Sequence, residues 1–86
     1  MPSVSRFFGI TIYMYFDDHA PPHFHASYSG SEVLIAIRDL SVIGGNMPPR
    51  AMGLVVEWAA EHQQELLENW ERGAHGEPFN AIEPLK

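Results

Sequence analysis

Residues 23–37 read HFHASYSGSEVLIAI, and their alternation decides how this chain folds. Phe24, Ala26 and Tyr28 alternate with His23, His25 and Ser27, and beyond Ser29-Gly30 the residues Val33, Ile35 and Ile37 alternate with Glu32, Leu34 and Ala36. A two-residue Ser29-Gly30 turn predicts an antiparallel hairpin. It sets Tyr28 against Ser31, Ala26 against Val33, Phe24 against Ile35, His25 against Leu34 and His23 against Ala36. The apolar side chains of both strands then share one face, and a one-residue slip would invert every one of them. His23 and His25, two apart on a strand, point together to the other face.

The flanking segments extend this hairpin into a sheet. Gly9–Phe16 alternates too, with Ile10, Ile12, Met14 and Phe16 on one side and Thr11, Tyr13 and Tyr15 on the other. Asp39–Ile43 predicts a fourth strand ahead of Gly44-Gly45-Asn46. Pro48 and Pro49 suit the first turn of a helix, where a missing amide hydrogen does no harm. From Ala51 the apolar residues Leu54, Val55, Trp58, Ala59, Leu66 and Trp70 follow helical spacing, with Glu57, Glu61, Glu68 and Glu71 opposite and Gly73 as a C-terminal cap. The expected architecture is α+β: one domain over residues 1–86, with a β-rich part at 1–45 holding a small antiparallel sheet of three to four strands. One long C-terminal helix at 47–73 packs on one face, and a tail at 74–86 folds back through Phe79, Ile82 and Leu85. Because one helix covers one face, the face carrying His23, His25, Tyr13 and Tyr15 is expected to be open.

Composition removes several function classes. The chain has no cysteine, so disulfides, thiolate catalysis and cysteine-ligated zinc are excluded. The formal charge of −6 is uneven. Residues 1–50 carry three arginines against four acids, whereas residues 51–86 carry two basic residues against seven glutamates. No basic stripe of the kind general nucleic-acid binding needs is present. The apolar N-terminal run is too short and too interrupted to span a membrane or to act as a convincing signal peptide, so a cytoplasmic location is the default expectation. With 86 residues the core is small, and oligomerisation or partner binding is a reasonable expectation.

The chemistry concentrates in residues 16–25, FDDHAPPHFH, which hold three of the five histidines. Three readings fit. Two imidazoles at i, i+2 with His19 and a carboxylate, Asp17 or Asp18, suit a divalent metal such as zinc, and the prolines would stiffen the approach of His19. A histidine pair also suits acid–base chemistry, with His23 and His25 exchanging protons and Arg38 or Arg50 steadying a phosphate. The third reading is partner binding, with Tyr13 and Tyr15 as anchors. Against all three stands a plain turn, since Asp and Pro are common beside histidine in turns. Other residues read as structural. His62 lies on the helix's apolar stripe between Trp58 and Leu66, His75 lies past the helix end, and Trp58 and Trp70 read as core rather than as ligand platforms. Arg50, a cation near a helix N-terminus, opposes the helix dipole and hints at use in binding phosphate.

SRFFGITIYMYF, DHAPPHFHASY, MPPRAMGLVVEW, ENWERGAHGEP and IEPLK together resemble the bacterial family domain of unknown function 4160, along essentially the whole chain. The resemblance implies one half of a two-gene module, paired with a cognate small protein and proposed as a toxin in a toxin–antitoxin system. The family's motif histidines correspond to His19, His23 and His25. The leading expectation is therefore a toxin-like component acting on RNA or translation through the histidine cluster. A metal-binding protein or metalloenzyme, and a non-enzymatic interaction or regulatory module, stand as the alternatives.

Overall fold

The computed structural model describes residues 3–86, and among these the alternating segments form one antiparallel sheet of five strands in chain order. The strands are β1 (Ser3–Phe7), β2 (Ile10–Tyr13), β3 (His23–Tyr28), β4 (Ser31–Ala36) and β5 (Val42–Gly45), and two helices follow, α1 (Pro49–Glu61) and α2 (Gln63–Ala74). The α+β class and the antiparallel sheet match the sequence reading. The β3–β4 register is the one the alternation predicts, pair by pair from His23↔Ala36 to Tyr28↔Ser31. Ser29 and Gly30 both have positive φ, at 48° and 84°, the conformation that matches the twist of a two-residue hairpin.

The strand count of three to four is corrected to five by β1. Its sequence, SVSRF, shows no clean alternation, because a bulge between Ser3 and Ser5 leaves Val4 and Ser5 both buried. A second two-residue turn, Phe8-Gly9, joins β1 to β2 with both φ values positive. Two other strands differ in their ends. The Gly9–Phe16 strand stops at Tyr13, because the chain then leaves the sheet and the Asp17 amide donates to the Gly73 carbonyl at 3.2 Å. The Asp39–Ile43 strand is replaced by Val42–Gly45, because Asp39 accepts from the Ser41 amide and hydroxyl and holds residues 37–41 in a turn.

The single long helix is corrected to two. His62 adopts φ −127° and ψ 22°, outside the helical region, and its amide turns back to the Ala59 carbonyl. Gln63 starts the second helix with its side-chain amide donating to the carbonyls of Ile37 and Arg38, at 2.8 and 3.2 Å, so α2 is tied to the end of β4.

The core lies between the helices and one sheet face. Ile10, Ile12, Phe24, Ala26, Val33 and Ile35 meet Ala51, Val55, Trp58, Ala59 and Leu66. Each large apolar side chain buried this way contributes about 1.5–3 kcal/mol. Trp58 is enclosed, and its indole N–H donates to the Glu83 carbonyl at 2.8 Å. The tail is held further by Asn69, which is fully buried and bonds both the amide and the carbonyl of Asn80.

Candidate metal centre

Strand β3 fixes the direction of His23 and His25, and the 14–22 loop brings Asp18 to meet them. The Asp18 Oδ2 oxygen lies 3.0 Å from His23 Nε2 and 3.2 Å from His25 Nε2. One ligand atom from each of the three residues falls within 4.8 Å of the others. The expected open face is closed at this point: His23 is 5% and His25 8% exposed. The cover comes from several elements. Tyr13, itself buried, stacks on His25 with ring centroids 5.0 Å apart, and Tyr15 meets it edge-on at 4.9 Å. Trp70 of α2 lies 5.2 Å from His23. Two helices joined at a break thus reach past the single face that one straight helix was expected to cover.

Hydrogen bonding distinguishes the two rings. His23 Nδ1 lies 2.8 Å from the Pro21 carbonyl, which only accepts, so Nδ1 carries the proton and Nε2 faces the carboxylate. A bare lone pair on Nε2 would repel Asp18 at 3.0 Å, so either a proton or a cation belongs between them. A ring nitrogen bonded to a backbone carbonyl, with the other nitrogen turned inward, is the usual outer support of a metal-bound histidine. His25 has no such acceptor: its Nδ1 is buried and unpartnered, and aromatic packing orients the ring instead.

The carboxyl of Asp18 is poised to stay ionised. Burial alone would raise its pKa, but the His19 amide, the hydrogen bond to His25 and the charges of His23 and His25 together hold it below the ordinary carboxylate value. The spacing also fits a metal. Ligand bonds of about 2.1 Å put neighbouring ligand atoms about 3.0 Å apart in an octahedral set and about 3.4 Å apart in a tetrahedral one. The two Asp18 contacts, at 3.0 and 3.2 Å, fall in that range, and all three ligand atoms lie within 4.8 Å of one another.

The other sequence-predicted residues are placed differently. His19 is exposed and outside the converging group; only its backbone amide takes part, donating to Asp18 at 2.8 Å. Asp17 is exposed and lines a small cavity of about 190 Å³ with Tyr15, Asp18, Ala20, Trp70 and Ala74. Among the described residues no arginine or lysine lines that cavity. Arg38 sits exposed in the turn after β4, beside the site's proline loop through the Ile37 amide bond to Pro22. Arg50 is remote. It lines a different cavity with Tyr28, which ends β3 five residues beyond His23, about 17 Å along the strand. His62 is half-buried, bonds Glu65 at 2.6 Å and lies against Trp58. His75 caps α2 and is exposed.

Two contributors escaped the sequence reading. The Pro21 carbonyl carries no side-chain signal. Trp70, read as core, is partly buried against His23; its position four residues after Leu66 places it on the inward stripe but says nothing of which strand face it reaches. Among the described residues no helix is long and apolar enough to cross a membrane. Neither the curated proteins nor the solved structures searched include a match to this chain. A family model does match, over residues 9–71, a span that contains the whole Asp18–His23–His25 cluster, and the chain belongs to the family described as Domain of unknown function (DUF4160).

Proposed function

We propose that this chain binds a divalent first-row transition metal such as zinc through Asp18, His23 and His25. One observation carries the reading: three ligand atoms converge within 4.8 Å, and the outer nitrogen of His23 is already engaged by a carbonyl. Two imidazoles and one carboxylate leave a further position for water or substrate, where a bound ion supplies Lewis-acid polarisation. Tyr15 and Asp17 line the adjoining cavity and would touch whatever enters it.

The toxin-like role implied by the family resemblance is placed within this reading. The chain is one half of a two-gene module, and the metal site is its working part. A cognate small protein restrains it, for which the exposed glutamates of α1 and α2 (Glu57, Glu61, Glu68 and Glu71) offer an acidic face. The cavity beside the site contains Asp17 and no basic residue, which favours a neutral or cationic group over a phosphodiester as the species admitted.

Elemental analysis of the purified chain, before and after a chelator, tests the metal. About one equivalent per chain is expected, and a chain that purifies and reloads without stoichiometric metal contradicts the reading. Inducible expression alone and beside the neighbouring gene tests the role. Growth arrest relieved by the partner and absent in His23→Ala is expected; arrest that persists unchanged in His23→Ala removes the site from the mechanism.

A further inference from the structure

A second cavity lies at the far end of β3 from the metal ligands, with a volume of about 630 Å³. Its lining combines Phe8, Tyr28, Pro48, Ala51 and Leu54 with one charged group, Arg50. That volume lies in the range of small-ligand sites, and an apolar wall with a single oriented charge is their usual composition. Arg50 forms no ion pair among the described residues. It stands in a chain of net charge −6, where a carboxylate partner would be easy to supply.

Phe8 adds a separate observation. It is 60% exposed, the most exposed large apolar side chain among the described residues, and its φ of 48° is a conformation that an aromatic residue rarely adopts. The turn it occupies is one that glycine, asparagine or aspartate would fill without strain. An aromatic group there is held at a local cost at the mouth of a cavity. Strain of this kind concentrates where a side chain must be presented. The Tyr28 ring packs beside the same turn, its Cε1 3.5 Å from where a Cβ on Gly9 would stand. Two aromatic rings and one guanidinium therefore border the same space.

We propose that this cavity binds a small aromatic anion, its ring between Phe8 and Tyr28 and its carboxylate on Arg50. Fork-shaped guanidinium donors match a carboxylate in two parallel hydrogen bonds, and the planar rings match a planar ligand. The site is independent of the metal centre and goes beyond the function proposed above.

The test is a titration of the isotope-labelled full chain by amide NMR, with 2-naphthoate as probe and 2-naphthylmethanol as its neutral counterpart. Saturable shifts at Phe8, Tyr28, Arg50, Ala51 and Leu54 are expected, unaffected by chelator. The alcohol binds about tenfold more weakly, and Arg50→Gln weakens naphthoate by about the same factor. Arg38→Gln removes the same charge elsewhere and leaves affinity unchanged. Three results would overturn the proposal: no localised shifts, equal affinity for acid and alcohol, or equal weakening by Arg38→Gln. Because chelator does not enter the expected binding, failure of the metal site leaves this outcome readable.

Discussion

Asp18 is the residue on which the site turns, since both inward-facing imidazole nitrogens meet the same oxygen of its side chain. Alternation along β3 reveals that His23 and His25 share a face, because a strand has a period of two and few ways to break it. It does not reveal which neighbour in DDHAPP turns inward. Asp17 adopts positive φ and stays exposed, Asp18 joins the two histidines, and His19 is left outside with only its amide engaged. His19→Ala is accordingly expected to leave metal affinity within about twofold, whereas Asp18→Asn abolishes it; calorimetric titration of both variants checks this. Asp18→Asn also removes a charged acceptor from two buried rings, at about 1–3 kcal/mol in metal-free protein at neutral pH. The pKa of Asp18 is lowered on folding, so its contribution is present above the ordinary carboxylate range and disappears as pH falls through the lower folded value. Denaturant melts of metal-free wild type and Asp18→Asn should therefore separate fully above the ordinary carboxylate range and converge only below the lower folded-state value.

Between elements, sequence pattern was strongest where both partners of a contact lie close together. The Ser29-Gly30 hairpin is legible because turn and alternation agree. The break at His62 is not, since a helical stripe continues through it and the Gln63 bonds to Ile37 and Arg38 beside it span more than twenty residues. The short edge strand β5 depends on Gly45. Its φ is 71°, and a Cβ there would collide with the backbone carbonyl of Glu32. Gly45→Ala is expected to destabilise the fold by about 2–4 kcal/mol, against about 1 kcal/mol for Gly30→Ala, which shares the positive φ but faces open space. Thermal melts of the two variants give the comparison. Equal losses would mean that the close approach to Glu32 does not matter.

For the molecule as a whole, the tail closes the structure. The family match ends at residue 71, yet the Ile82 amide donates to the Val4 carbonyl of β1, Glu83 accepts the Trp58 indole, and Asn80 satisfies buried Asn69. Truncation after Gly76 leaves Asn69 and Trp58 without partners and uncovers Ile82's place in the core. A loss of more than about 3 kcal/mol is expected, enough to unfold much of a domain this small, and circular dichroism would detect it. Pattern alone shows that Phe79, Ile82 and Leu85 are apolar; it cannot show that Asn69, a polar residue in a helix, is the clamp. The same compactness brings α2 against β3, so that Trp70 helps enclose a site whose ligands come from a loop and a strand.

The most direct measurement is calorimetric titration of zinc into chelator-stripped full-length chain, beside His25→Ala. One saturable site per wild-type chain is predicted, with the heat abolished in the variant. No saturable binding by the wild type, or an unchanged isotherm in folded His25→Ala, would contradict a metal centre at Asp18, His23 and His25.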